Sequence, residues 1–296
     1  MLRAVFLVLF SVMIVGCGEE RQTPRYEPKG EIIAKKTYIV GIHPYLNSKK
    51  MFKAYRPILD YLEARIEGVT FTLETSQTYA RYNTKLYRGD FHFSLPNPFQ
   101  TYNALSHNYT VIAKMKPDSV FHGIIVARKD AGLTRFEQLK GKAVSFPAPT
   151  ALAATMMPLY YLHEHGIDVR HDIDKRYVGS QYSSILNAFS ADTVAAATWP
   201  PPWETWVREN PEKAAKMEVV WETKPLINNG FVVRKDVDKS VASQVAEALV
   251  GLPRTEKGRA LLADAGFDGF EFADDAAYGV VATFLEMYEH AIGVPE

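Results

Sequence analysis

From Thr37 onward, short β-rich apolar runs alternate with segments whose apolar residues recur at helical spacing. Residues 38–42 read as a strand. Residues 50–66 carry Phe52, Tyr55, Ile58, Leu59, Leu62 and Ile66 on one helical face, opposed only by Pro57. Residues 69–73 alternate as a strand does, 79–88 read as helix, 91–95 as strand and 100–105 as helix. This alternation predicts an α/β fold with a mainly parallel sheet flanked by helices.

Two later segments share one pattern. His122 to Asp130 and Asn229 to Asp236 each run from a glycine (Gly123, Gly230) through apolar residues to Arg-Lys-Asp. They are too brief and too distant for a solenoid repeat. They support a chain that passes twice between two lobes, each time as a strand leaving one sheet for the other. Between them, residues 141–146, 175–178 and 194–197 read as strands and 151–165 and 183–190 as helices, a second α/β lobe. After Asp236 the chain reads as helical to its end, broken at 251–253 and 266–269. The expected domains are lobe 1 (37–124 plus 229–296) and lobe 2 (125–228), joined by two crossing strands.

Upstream, residues 4–15 are apolar except Ser11, follow Arg3, and lead to Gly16 and Cys17, the chain's one cysteine. This resembles a bacterial lipoprotein signal with its lipobox at 14–17. A run of about a dozen residues is shorter than the about 20 needed to span a bilayer core. The resemblance implies a signal peptide over 1–16, lipidation of Cys17, and a polar tether over 17–36 containing Pro24 and Pro28. The mature protein would then sit in the periplasm or at the cell surface, lipid-anchored to the membrane. With Cys17 given to lipid, no thiol remains for a disulfide.

Lysine plus arginine and aspartate plus glutamate number 34 each, so no net field draws the protein to nucleic acid, and none is expected as a partner. Walker, dinucleotide, Gly-x-Ser-x-Gly and His-Glu-x-x-His patterns do not occur, and His163 and His165, two apart on a helix, point away from each other. No catalytic residue, cofactor or metal ligand is therefore assigned.

In open α/β sheets, ligands lie beyond the carboxyl ends of strands, where helix starts direct free N–H groups into the crevice. Residues 96–100, 147–151 and 179–183 each follow a strand and open a helix. Aromatic residues in or beside predicted cleft loops offer walls for an apolar or cationic ligand portion. The candidate ligand residues are Tyr45, Asn97, Tyr102, Thr150, Ala151, Gln181, Tyr182, Ser183, Trp199 and Trp203, the last two on a loop stiffened by the intervening prolines.

In order and spacing, residues 41–45, 55–62, 87–98, 128–130, 136–142, 166–168, 179–180, 234–236 and 266–270 resemble the periplasmic substrate-binding proteins of phosphate, phosphite and phosphonate transporters. The likeness covers nearly all of 37–290. It implies a type II periplasmic-binding-protein fold, a monomer whose lobes close over a small ligand and present it to an ABC permease without chemistry of its own. The alternative is a sensory lipoprotein that presents its ligand to a membrane sensor kinase.

The family's Pro-Ser-Ser-Thr-Ser stretch is here Pro149 followed by Thr150, Ala151, Leu152 and Ala153; its histidine after Gly-Ser is Gln181, and its acidic position falls in 198–203. Each lost charge-assisted hydrogen bond forfeits about 1.5–3 kcal/mol. The expectation is weak binding of simple phosphonates and better binding of ligands with an apolar or cationic portion against Trp199 and Trp203.

Overall fold

The computed structural model describes residues 35–295. The expected signal peptide, Cys17 and nearly all of the tether lie outside the described residues. Among those described, no helix is long and apolar enough to cross a membrane.

The chain opens as β1 (Lys36–Ile42), α1 (Ser48–Glu63), β2 (Val69–Thr75), α2 (Tyr79–Arg88), β3 (Phe93–Leu95), α3 (Pro98–Ala104) and β4 (Tyr109–Lys116). Pro57 is tolerated inside α1 because the carbonyl it leaves unpaired belongs to Lys53, on the exposed face where water can satisfy it. That helix buries Met51, Ala54, Tyr55, Ile58, Leu59 and Leu62; Phe52, expected on the same face, is exposed. Strand β4 was not expected, although its alternation is intact: Tyr109, Val111, Ala113 and Met115 are buried, and Lys114 and Lys116 fall on the other face. Lys114 is accommodated by ion pairs to Asp118 and Glu271.

Next come β5 (Ile124–Arg128), β6 (Lys142–Phe146), α4 (Met157–Glu164), β7 (Ile173–Tyr177), α5 (Gln181–Phe189), β8 (Ala195–Thr198), α6 (Pro200–Glu209), α7 (Pro211–Ala214) and β9 (Met217–Glu222). The prolines 200–202 form the first turn of α6 rather than a stiff loop. Their fixed φ suits a helix start, and the N–H groups they lack would have had no intrahelical partner there. The chain ends as β10 (Gly230–Arg234), α8 (Lys239–Gly251), α9 (Glu256–Ala265), β11 (Gly269–Glu271) and α10 (Gly279–Ala291). Residues 269–271 are thus a strand, not merely a break between helices.

Six strands form one sheet in the order β11-β4-β10-β3-β1-β2, and five form the other in the order β7-β6-β8-β5-β9. The parallel pairing expected from sequence holds for β1 with β2 and β3, and for β6 with β7 and β8. Strands β4 and β10, like β5 and β9, adjoin the passages between lobes, and their ladders are antiparallel.

The passages themselves lie just before the two similar segments. β5 belongs wholly to the second sheet and β10 wholly to the first, so residues 117–123 and 223–229 make the crossings. These two stretches are bonded to each other. Leu226 N–H donates to Phe121 O (2.9 Å), Thr223 N–H to Gly123 O (2.9 Å), and Asn228 N–H and Nδ2 reach Asp118 Oδ1 (2.9 Å) and Pro117 O (3.0 Å). Tyr278 Oη donates to Asn228 O at 2.7 Å and fixes the pair to the first lobe.

The shared glycines have a packing cause. A Cβ on Gly123 would lie 2.5 Å from Ala153 O and 2.7 Å from the Pro158 ring, and one on Gly230 would lie 2.6 Å from Thr101 Cγ2. The matching Arg-Asp ends are local ion pairs, Arg128 with Asp130 and Arg234 with Asp236.

Gly123→Ala is expected to destabilise the protein by about 1–3 kcal/mol through overpacking at the crossing. Gly251→Ala, with open space around it at the end of α8, should be neutral or stabilising by up to about 1 kcal/mol. Urea unfolding of both variants checks this; equal effects would remove the close-approach argument.

Candidate functional site

The two lobes face each other across an inner cavity of about 10 Å³, lined by His43, Tyr79, Asn97 and Phe121 on one side and Ala151 to Ala154, Gln181 and Trp199 on the other. That volume is about what a single water requires. The lobes must part to admit anything larger.

Its floor on the second lobe is a π-helical turn, Leu152–Met156, that leads into α4. Sequence spacing predicted an unbroken helix from Ala151. Pro158, at the start of α4, has no N–H to give Ala154 O, and the turn widens so that Met157 N–H bonds Leu152 O. In this first turn the N–H groups of Leu152, Ala153 and Ala154 have no carbonyl one turn earlier, and all three residues line the cavity. Their side chains are apolar, so the polar groups on this wall are those of the backbone.

Asn97 caps α3 with Oδ1 on Gln100 N–H (3.0 Å) and sends Nδ2 across the cleft to Thr150 O (2.9 Å). Thr150 Oγ1 also receives Asn83 Nδ2 at 3.5 Å. Gln181 is buried, with Oε1 accepting from Thr198 Oγ1 (2.8 Å) and Nε2 donating across the cleft to Tyr79 Oη (3.3 Å). Tyr45 bonds Tyr55 through paired hydroxyls (2.8 Å), and its ring meets His43 at 5.1 Å and Trp199 at 5.7 Å. Burial pushes the Tyr45 hydroxyl up to about 12, so it stays protonated.

His43 is the electrostatic centre of this arrangement. Burial holds its pKa at about 4, against a hydrogen bond to Leu95 O that favours the charged form. A carbonyl only accepts, so Nδ1 (2.9 Å from Leu95 O) carries the proton and Nε2 is left as an acceptor. With His43 neutral, no charged side chain lines the inner cavity.

Outside it lies a second pocket of about 260 Å³, which shares Gln181 with the inner one and is walled by Tyr45, Tyr182 and Trp206. Lys50 at its edge pairs with Glu209 across the cleft and lies 5.7 Å from the Tyr182 ring centre.

Of the residues expected from sequence, Asn97, Ala151, Gln181 and Trp199 line the inner cavity, and Tyr45, Gln181 and Tyr182 the outer pocket. Thr150 stands beside them as a cross-cleft acceptor. Tyr102 is exposed and lines neither, and Ser183 is engaged in the Ser180 cap of α5. Trp203 stacks on Trp206 at 5.5 Å, and Trp206 takes the wall position. Missed were His43, Tyr79 and Phe121, together with Lys50, Ser76 and Trp206 around the outer pocket. Helix starts are also the signal for most of these, because β1 and β2 end at the cleft and lead into α1 and α2.

Two lobes on paired crossings, closing on a cavity built from helix starts, define a ligand-binding protein of the two-lobed class. A family profile described as "ABC transporter, phosphonate, periplasmic substrate-binding protein" matches residues 40–278. The chain belongs to that family, whose members bind solutes for transport and are not enzymes.

A probable ABC transporter phosphite-binding protein of Prochlorococcus marinus, PhnD1, is 24% identical over 139 residues, which are 44% of this chain and 47% of that protein. The match thus spans about half the length of that relative. Among solved structures, a binding-protein component of a Pseudomonas aeruginosa ABC phosphonate transporter superposes with TM-score 0.79 at 14% identity, covering 87% of this chain and 88% of that one. Prochlorococcus PhnD1 in complex with methylphosphonate gives 0.78 at 19%, covering 85% and 97%. A Xanthomonas citri protein bound to ATP gives 0.69 at 15%, covering 86% and 98%. These likenesses establish the shared fold.

Because His43 has its pKa lowered from 6.5 to about 4, the unfolded chain takes up its proton first as pH falls. Stability at pH 7 is therefore lost between about pH 6.5 and 4, by about 3 kcal/mol at 1.36 kcal/mol per unit. Thermal midpoints of wild type and His43→Gln across this range should show a shallower decline in the variant; parallel curves would mean that His43 is not buried neutral.

Proposed function

We propose that this protein captures a small oxyanion with one apolar face, of the phosphonate or phosphite kind, and presents it to an ABC permease while held to the membrane by lipid on Cys17. The observation that carries the reading is the inner cavity's two-sided chemistry. Helix-start N–H groups of residues 152–154 meet it on one side, and Phe121, Trp199 and the Leu152 side chain supply apolar surface around them. Methylphosphonate, bound by the Prochlorococcus relative, has that two-sided character. Inorganic phosphate would turn a further polar oxygen toward the apolar wall, where no hydrogen bond repays its desolvation.

The family's hydroxyls are absent at Ala151, Leu152 and Ala153, so affinity rests on backbone donors and on the aromatic wall. Calorimetry is expected to show methylphosphonate binding at least tenfold tighter than phosphate. Trp199→Ala should cost about 1–2 kcal/mol, or about 5–30-fold in Kd. Trp203→Ala, on the far side of Trp206, should change Kd by less than about threefold. Preference for phosphate, or equal losses in the two variants, would count against this cavity as the site.

For the anchor, Cys17→Ser should abolish partition of the protein into the detergent phase. Retention of a processed Cys17→Ser protein there would overturn lipidation.

A further inference from the structure

The outer pocket has one cation, Lys50, and no carboxylate among its lining residues. Two helices start at it: α1, of 16 residues, and α5, of 9, both long enough for their positive ends to act at the site. Asn47 caps α1 by accepting from Lys50 N–H, and Ser180 caps α5 by accepting from Ser183 N–H. Those caps leave the first two N–H groups of each helix without an intrahelical partner. Neither helix has an acidic residue in its first turn, and no carboxylate lines the pocket.

A second observation is independent of the helix ends. Ser76 and Trp206 both line the pocket, at 7% and 1% exposure, and Ser76 Oγ and Trp206 Nε1 are buried without a hydrogen-bond partner. Trp206 Nε1–H can only donate, and Ser76 can donate as well. A buried donor left unpaired costs about 1–3 kcal/mol; both atoms are closed off from the pocket here, so an acceptor recovers that cost when its entry opens a way to them. Lys50 supplies the one cation among the lining residues.

We infer that the outer pocket is an anion subsite for the far end of an elongated ligand, a phosphonate that carries a carboxylate or a second phosphoryl group. The inference rests on the phosphonate reading above. With the lobes closed the inner cavity holds about one water, and once they part to admit a headgroup the outer pocket, which shares Gln181 with it, is the adjoining space for a chain of a few carbons. Lys50 is shared with Glu209 across the cleft, so an anion bound here draws on a charge that the closed lobes already hold in place.

Calorimetry with methylphosphonate, propylphosphonate and 3-phosphonopropionate tests this. In the wild type, 3-phosphonopropionate should bind at least tenfold tighter than propylphosphonate. That ratio should fall to about threefold or less in Lys50→Met, and drop measurably in Ser76→Ala and Trp206→Phe. In Glu209→Gln, which frees Lys50 from its partner, it should hold or rise. Because Lys50 also takes part in closure, the ratio of the two three-carbon ligands is the readout, since a change in closure alone affects both.

Equal binding of the two three-carbon ligands, or a preference that survives Lys50→Met, Ser76→Ala and Trp206→Phe, overturns the subsite while methylphosphonate binding leaves the phosphonate reading intact. Failure of all three ligands to bind removes that reading and the subsite with it.

Discussion

Everything this protein can do at its cleft depends on the two crossing segments being bonded to each other. Residues 117–123 and 223–229 are the covalent links between the lobes, and they share backbone and side-chain hydrogen bonds along their length. Paired in this way they form one bonded hinge region between the lobes rather than two independent tethers. Gly123 ties that hinge to the binding surface. It packs against Ala153 O and Pro158, in and just beyond the π-turn that presents the cavity's N–H groups. A change in the crossing is therefore felt where the ligand's oxygens would sit.

The second governing feature is that the inner cavity is neutral. Burying an unpaired charge costs several kcal/mol, and a cation lining the cavity would oppose closure whenever no anion answered it. Here the polar groups around the cavity are amides, hydroxyls and helix-start N–H groups, and burial keeps His43 uncharged at neutral pH. The charged pair that spans the cleft, Lys50 with Glu209, sits outside, where both partners keep contact with water. At 29% and 41% exposure such a pair is worth at most about 1 kcal/mol. It biases closure without dictating it.

Much of the fold was legible because its signals are local. Helix α2 begins and ends where the apolar period and the glycine after Arg88 place it, and Gly89 there adopts the left-handed conformation that closes the helix. Strand β4 carries a legible period of two, and what the sequence does not show is that Lys114 is held at 8% exposure in the sheet by Asp118 and Glu271, one of them over a hundred residues away. The π-turn was hidden for a subtler reason. Pro158 looks like an ordinary helix-start proline, and spacing alone does not show that the turn before it widens until Met157 N–H bonds Leu152 O. For the site, helix starts pointed to Asn97, Ala151 and Gln181, while Trp206 could not be told from Trp203, since which of two stacked indoles faces the pocket is decided by how α6 packs.

The contacts that close the cleft also determine what a ligand must supply. Asn97 to Thr150 and Gln181 to Tyr79 are direct bonds between lobes, made by residues at the cavity itself. A ligand entering between them gains only the excess of its own contacts over the bonds it displaces, and its apparent affinity falls with the fraction of molecules in the open, competent form. Lys50 with Glu209 and the Tyr45 to Trp199 ring contact lie toward the outer pocket, where they can persist beside a headgroup. A ligand at the inner cavity would compete with the inner bonds, whereas the outer ones lie away from it. Selectivity then follows from which groups can replace an amide-to-carbonyl bond at the cavity: an oxyanion with several acceptor oxygens can satisfy those donors, and a purely apolar molecule leaves them unpaired at about 1–3 kcal/mol each.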